Sequence, residues 1–200
     1  LAQALPERFP DRTVIFRSVD KRANPLLLES LRGEGYRMVL SRQVWYMQPA
    51  EALRTRQVKE DARVLRGYRY EVVDGKDLTD DELERCLELY NLLYLEKYSY
   101  YNPQFTEAFL RLARDADILH LRALRRDGLI NGVMGFFVRN GLMTQPLFGY
   151  DTGLPVDEGL YRLLTLITLQ EGLERGLLVH ASGGVGKFKK IRGGKSVIEY

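Results

Sequence analysis

The chain reads as a mixed α/β (α+β) protein whose sheet is antiparallel in its first part and closes with a parallel pair of strands. Two observations predict this. Three apolar stretches, 118–124, 130–138 and 143–148, are separated by Asp127-Gly128 and Asn140-Gly141, residue pairs favoured by tight hairpin turns, so they form an antiparallel meander. The meander runs into a helix-length apolar segment and then the short apolar stretch Leu177–Ser182. A helix between two short strands is a crossover, which makes those strands parallel and the connection right-handed.

The crossover helix has the clearest pattern. Leu160, Leu163, Leu164, Ile167 and Leu173 recur at helical spacing, while Leu166 and Leu169 make the opposite side apolar too. Such a helix is buried on more than one face. Asp157 is placed to cap its start and Gly176 to end it.

Before the meander, residues 1–12 are polar and punctuated by proline, and Thr13–Val19 reads as a strand. Asn24-Pro25 opens a short leucine-rich helix that ends at Gly33 and Gly35, and 37–47 reads as further strand. Pro49 starts a basic helix to Arg66, with Val58, Ala62 and Leu65 along one stripe and Arg54, Arg56, Lys59, Arg63 and Arg66 mostly off it. That face is either a solvated surface or a landing strip for phosphates. Tyr68–Val73 begins a new strand, which puts a boundary near Gly67. Thr79-Asp-Asp-Glu82 is a capping box for a helix that continues through Leu83, Leu87, Tyr90 and Tyr94. A second helix is expected from Asn102-Pro103, with Phe105, Phe109 and Leu112 inside.

Composition sets bounds. A hydrophobic content of 45% is that of a globular protein, and no apolar run approaches the roughly 20 residues of a membrane span. A single cysteine, Cys86, excludes an internal disulfide and suits a reducing, cytoplasmic setting. Two histidines make no metal site, and none is expected. The chain opens at Leu1 on what reads as the remainder of a sheet, so it is expected to be a piece of a longer protein. Residues 13–47 are expected to stand apart from the sheet of 67–200.

Ligands of open α/β sheets gather beyond the carboxyl ends of parallel strands, which here means the loop 149–159 and the glycine-rich basic turn after Ser182. Lys187, Lys189, Lys190, Arg192 and Lys195 lie among Gly183, Gly184, Gly186, Gly193 and Gly194. Glycines let backbone amides approach an oxygen-rich ligand and lysines supply charge, although the turn is not a P-loop. A solvated surface is the alternative. His180 and Ser182 share a strand face, and a histidine there either accepts a proton near neutral pH or is a hydrogen-bonded structural residue. Tyr150, where the meander ends, is a general acid or a packed ring. Tyr98, Tyr100 and Tyr101 line an acceptor pocket or belong to the core.

The order strand, two helices, three-strand meander, crossover helix and parallel last strand resembles the GNAT acyltransferase fold, and most of all its Fem-type (FemAB-like) aminoacyl- and acetyltransferase branch. Three stretches carry the likeness: Arg56–Lys59 through Arg63–Arg66 with Gly67-Tyr68, the helix pair from Leu89-Tyr90 to Pro103, and Phe188-Lys-Lys-Ile-Arg-Gly193. The resemblance implies two GNAT-like halves, with 1–66 the tail of the first and 67–200 the second. It implies transfer of an acyl or aminoacyl group to an amine by direct attack. The co-substrate would be acyl-CoA, an acyl carrier protein or aminoacyl-tRNA, with no cofactor held permanently. Catalytic residues would be His180, Ser182 and Tyr150. Donor contacts would be Gly183, Gly184, Gly186, Lys187, Phe188, Lys189 and Arg192. The acceptor would be a small-molecule amine or a cell-wall precursor, in the pocket of Tyr98, Tyr100 and Tyr101. One departure stands out: 149–159 lacks the glycine-rich phosphate pattern of CoA-dependent members and carries Asp151, Asp157 and Glu158, which would meet pyrophosphate with like charge. A catalytically silent module that binds a ligand or partner is the rival reading. Non-specific nucleic-acid binding by the two basic stretches ranks last.

Overall fold

The computed structural model describes residues 2–68 and 70–200, and the side chains of Leu65 and Tyr68 lie outside that description. Helices α1 (Ala4–Arg8) and α2 (Pro25–Gly33) precede β1 (Arg42–Met47). Pro25 takes the first helical position of α2, where its missing N–H costs nothing. The expected strand Thr13–Val19 does not form. Ile15 is 73% exposed, and the segment meets the sheet only at its end, where Val19 pairs with Tyr200 and Asp20 bridges Glu199.

The basic helix comes in two pieces, α3 (Pro49–Ala52) and α4 (Arg56–Tyr68). Thr55 makes the break: its hydroxyl donates to the Ala52 carbonyl at 2.7 Å and accepts from the Val58 N–H at 3.4 Å, which ends one helix and caps the next. Val58 and Asp61 face inward; Leu65, expected on the same stripe, lies outside the described side chains. After β2 (Glu71–Asp74), helix α5 (Asp80–Asn91) starts with the capping box at Thr79 and Glu82. It then widens into a π-helix, Leu92–Tyr98, that the sequence pattern did not announce. Helix α6 (Glu107–Asp115) begins later than expected, because Thr106 rather than Asn102 caps it. The later start changes its inner face: Leu110 and Ala113 are buried, while Phe109 and Leu112 are exposed.

The meander forms as its turns require, from β3 (His120–Arg126), β4 (Leu129–Arg139) and β5 (Leu142–Tyr150). Asp127, Gly128, Asn140 and Gly141 all take positive φ, as type I′ turns demand. Helix α7 (Leu160–Glu174) crosses to β6 (Leu178–His180), which runs parallel to β5. Gly159, in the left-handed region, precedes α7 in the capping position expected for Asp157, which lies in a 3₁₀ turn. At the other end Gly176 closes a Schellman motif, with Leu177 N–H on the Gly172 carbonyl and Gly176 N–H on Leu173. The helix is buried on two sides, between the sheet and the α3–α4 layer; only Leu173 of its expected apolar set is exposed.

After β6 come α8 (Gly186–Ile191) and β7 (Lys195–Glu199). The strand order is β2-β3-β4-β5-β6-β1-β7, with β1 antiparallel to both of its neighbours. Residues 13–47 therefore do not stand apart from the sheet of 67–200: their strand β1 is built into it. The reason is burial, since Val44 to Met47 are all covered, and a strand apolar on both faces needs neighbours on both edges as well as layers above and below.

Two irregularities open the sheet in the middle. Pairing of β5 with β6 covers only Leu142–Thr144 against Leu178–His180, while β5 continues to Tyr150. On its other edge Leu147 faces Gly135 and Thr144 faces Phe137, so Gln145 and Pro146 together oppose Phe136. This is a β-bulge, which bends and twists its strand, and Pro146 has no N–H to leave unpaired. The bulge falls where β5 and β6 part.

Gly149 shows how tightly α5 lies on β5. A Cβ there would sit 2.5 Å from the Leu89 carbonyl carbon and the Tyr90 nitrogen, both backbone atoms that cannot turn aside. Gly149→Ala is expected to destabilise the chain by about 1–3 kcal/mol or more through overpacking. An unchanged denaturation midpoint would show that α5 does not lie on this strand.

Candidate functional site

The splay between β5 and β6 opens into a cavity of about 750 Å³. Its walls come from Gln145 and Phe148 of β5, Leu93, Tyr94 and Tyr98 of the π-helix, and Tyr161, Thr165, Thr168 and Leu169 of α7. Val179 to Gly186, Phe188 and Lys189 form the far side, backed by Arg42, Gln43, Trp45 and Met47 of β1. The site thus lies beyond the carboxyl end of the parallel pair, as the topology requires.

Of the residues singled out in the sequence, His180, Ser182, Gly183, Gly184, Gly186, Phe188, Lys189 and Tyr98 line this cavity. Tyr150 lies just outside, its ring 6.4 Å from that of Tyr161. Tyr100, Tyr101 and Lys187 are exposed and line no part of it. Sequence reasoning missed Tyr94, Tyr161, Gln145, Thr165 and all of β1. Only Tyr94 carried a signal, standing four residues from both Tyr90 and Tyr98.

The basic turn is a short helix whose two most buried cations point inward. Lys189 is 5% exposed, and its ammonium donates to the carbonyls of Ala181, Ser182 and Gly183. All three protons are spent on holding the loop after β6. Burial, with Arg42 nearby, pushes its pKa down to about 8. Arg192 makes a two-pronged pair with the buried Asp61 of α4, at 2.8 and 3.2 Å, and lies 3.6 Å over the Phe188 ring. The glycines are explained in part by packing: a Cβ on Gly186 would sit 2.9 Å from the Trp45 ring, and one on Gly194 2.8 Å from the Lys189 carbonyl oxygen.

His180 stacks edge-on against Tyr46, its partner across the β1–β6 pair, at 5.0 Å, and Tyr46 donates to the buried Asp20 at 2.7 Å. Burial lowers the His180 pKa below its ordinary value, partly opposed by Glu199 and Asp20, so the imidazole is neutral at pH 7. Around the mouth, the pKa values of Tyr94, Tyr150 and Tyr161 are raised by burial and, to a smaller degree, by neighbouring phenols.

The acidic loop before α7 is less anionic than its sequence suggests. Asp151 pairs with Arg85 at 2.8 Å, and Glu158 pairs with Arg126 at 2.6 Å while accepting from Tyr70. Asp151 and Glu158 are thus matched by arginines of neighbouring elements. Arg162, in the first turn of α7, lies against Gly159. The like-charge objection to a phosphate-bearing donor is correspondingly reduced.

Lys189→Met, which keeps the bulk and removes the donors, leaves the loop carbonyls without their partner and is expected to cost about 1–3 kcal/mol in denaturant unfolding. Lys195 forms an exposed pair with Glu51 at 2.9 Å, so Lys195→Ala should leave the midpoint where it was. Equal effects of the two would remove the structural role assigned to Lys189.

No family model matches the sequence, and no curated protein matches it. Solved structures do. L-PGS from Bacillus licheniformis superposes with a TM-score of 0.73 at 14% identity, over 99% of this chain and 69% of that one. FemX superposes at 0.67 and 8% identity, over 92% of this chain and 70% of the other. A GCN5-related N-acetyltransferase from Kribbella flavida gives 0.51 at 16% identity, over 91% and 66%. At such identities the likeness is one of fold: this chain has a GNAT-like fold with Fem-like neighbours, an architecture that acyltransferases use.

Proposed function

We propose that this chain transfers an acyl or aminoacyl group from an activated donor, a thioester or a charged tRNA, to an amine in the cleft between β5 and β6. The observation that carries this reading is the splay itself. Past Thr144 the edge of β5 is unpaired and faces a cavity, so an extended donor arm can lie along it as an added strand would. The acceptor nitrogen attacks the donor carbonyl carbon, and the thiolate or ribose oxygen leaves. His180, neutral and on the cavity wall, takes the proton released from the amine. Tyr150, at the mouth, returns a proton to the leaving group. Ser182 and the Gly183–Gly186 backbone, with Lys187 and Phe188, flank the donor. Lys189 and Arg192 serve it through the loop they hold, and Tyr98 stands on the acceptor side.

We also read residues 1–66 as the tail of a first half and 67–200 as the second. The succession of extended segment, α2 and β1 repeats that of β6, α8 and β7. A superposition of 19–47 on 178–199 that fails to align these elements would remove the duplication.

Incubation with acyl thioesters or aminoacyl-tRNA and a panel of amines, followed by thiol release or deacylation, tests the transfer. His180→Gln should lower the rate by about 10²–10⁴-fold. The base works unprotonated and its pKa is depressed. The wild-type rate should therefore fall as pH drops through a value below the ordinary histidine range, and the variant should lose this acid limb. Donor binding without turnover for every amine would instead favour the silent binding module, a reading encouraged by the internal engagement of Lys189 and Arg192.

A further inference from the structure

Resting on the acyl-transfer reading above, we infer that the cleft holds an uncharged, largely apolar acyl chain and disfavours groups that carry an ammonium. Among the described residues lining the cavity there is no aspartate or glutamate. The carboxylates that pair with Arg42, with Arg192 and with the Tyr46 partner of His180 are already committed: Glu199 to Arg42, Asp61 to Arg192, and Asp20 to Tyr46 and two backbone amides. The two cations on the wall are engaged as well, Arg42 with Glu199 and Lys189 with three carbonyls. An ammonium entering the cleft would lose water and find no counter-charge, which is costly.

Three of the aromatic rings on the wall are already engaged. The Phe188 ring already carries the Arg192 guanidinium at 3.6 Å, and a second cation there would be repelled. Tyr94 stacks on Tyr90 at 5.0 Å, and Tyr161 is met edge-on by Phe148 and Phe188. The floor, by contrast, is aliphatic: Met47, Leu93, Leu169 and Val179 are each at most 2% exposed. Gln145 donates to the Thr168 hydroxyl at 2.7 Å, and that hydroxyl donates onward to the Leu164 carbonyl. This fixes the amide with its carbonyl oxygen as the unused polar atom, an acceptor for one hydrogen bond. Such a wall suits an alkyl or aryl acyl group on a neutral thioester arm.

Trp45, the only tryptophan of the chain, lines the cavity and reports on it directly. Its fluorescence in the full chain would be titrated with two neutral-arm thioesters of N-acetylcysteamine, octanoyl and 7-aminoheptanoyl, which match in length and differ in the terminal methyl or ammonium. The octanoyl probe is expected to bind at least about tenfold more tightly. Thr165→Asp places a carboxylate on the wall at a half-buried position and should reverse the preference. Gln145→Glu repeats the change from the opposite wall if the first variant does not fold. Equal affinities, tighter binding of the 7-aminoheptanoyl probe, or no response of Trp45 to either would overturn the inference. Octanoyl binding with the stated preference but no transfer to any amine would count against the transferase reading and leave the cavity assignment standing. Transfer of aminoacyl groups as fast as of plain acyl groups would do the reverse.

Discussion

The site depends on a strand that comes from far away in the chain. Strand β6 has three residues, and its pairing with β5 stops at His180. Left there, the segment that follows would have no fixed path. Strand β1 supplies it: Tyr46 and Met47 pair with His180 and Val179, Ala181 N–H donates to the Trp45 carbonyl, and Trp45 N–H donates to Ser182. The same strand then pairs with β7 on its other edge. Strand β1 thus holds the far edge of the segment past His180 while the facing edge of β5 stays open, and the gap between β5 and that segment becomes a cleft rather than a break in the sheet.

Around that frame the charges divide by burial rather than by sequence neighbourhood. Lys187 and Lys190 face solvent, while Lys189 and Arg192, in the same turn, are each 5% exposed and internally bound. A buried guanidinium demands a partner with matching geometry, and Asp61 on α4 meets that demand across 131 positions of sequence. The pair fastens α4 to the end of α8, the helix that follows β6. The segments that follow β1 and β6 are therefore joined by charge as the two strands are joined by backbone.

The aromatic mouth has a local cause. Widening of α5 into a π-helix over Leu92–Tyr98 brings Leu93, Tyr94 and Tyr98 to the cavity wall. π-Helical turns are commonly kept where a side chain must be re-aimed for function. Facing them, Tyr161 stands at the start of α7 and links Phe148 of β5 to Phe188 of α8. The mouth is thus ringed by phenols and the floor by aliphatic side chains, which gives the cleft a polar end and an apolar end, with no acidic residue among the described residues that line it.

Local chemistry decided a good part of this structure. Asp127-Gly128 and Asn140-Gly141 dictate hairpins because few other residues accept positive φ at two successive positions. Thr79 and Glu82 dictate a helix start, and the all-round apolar pattern of 160–169 dictates burial on two sides. From these the meander, the crossover and the region of the site could be read, and His180, Ser182 and Phe188 were found in it. What the sequence could not contain was the partner of each element. Whether 42–47 pairs with its own neighbours or enters a distant sheet, which carbonyls the Lys189 ammonium holds, and which face of α6 turns inward all depend on long-range contacts. Those contacts have no signature in spacing: a lysine looks the same before and after it is buried. Only the tertiary structure, by covering β1 on both faces and closing the loop onto Lys189, settled them.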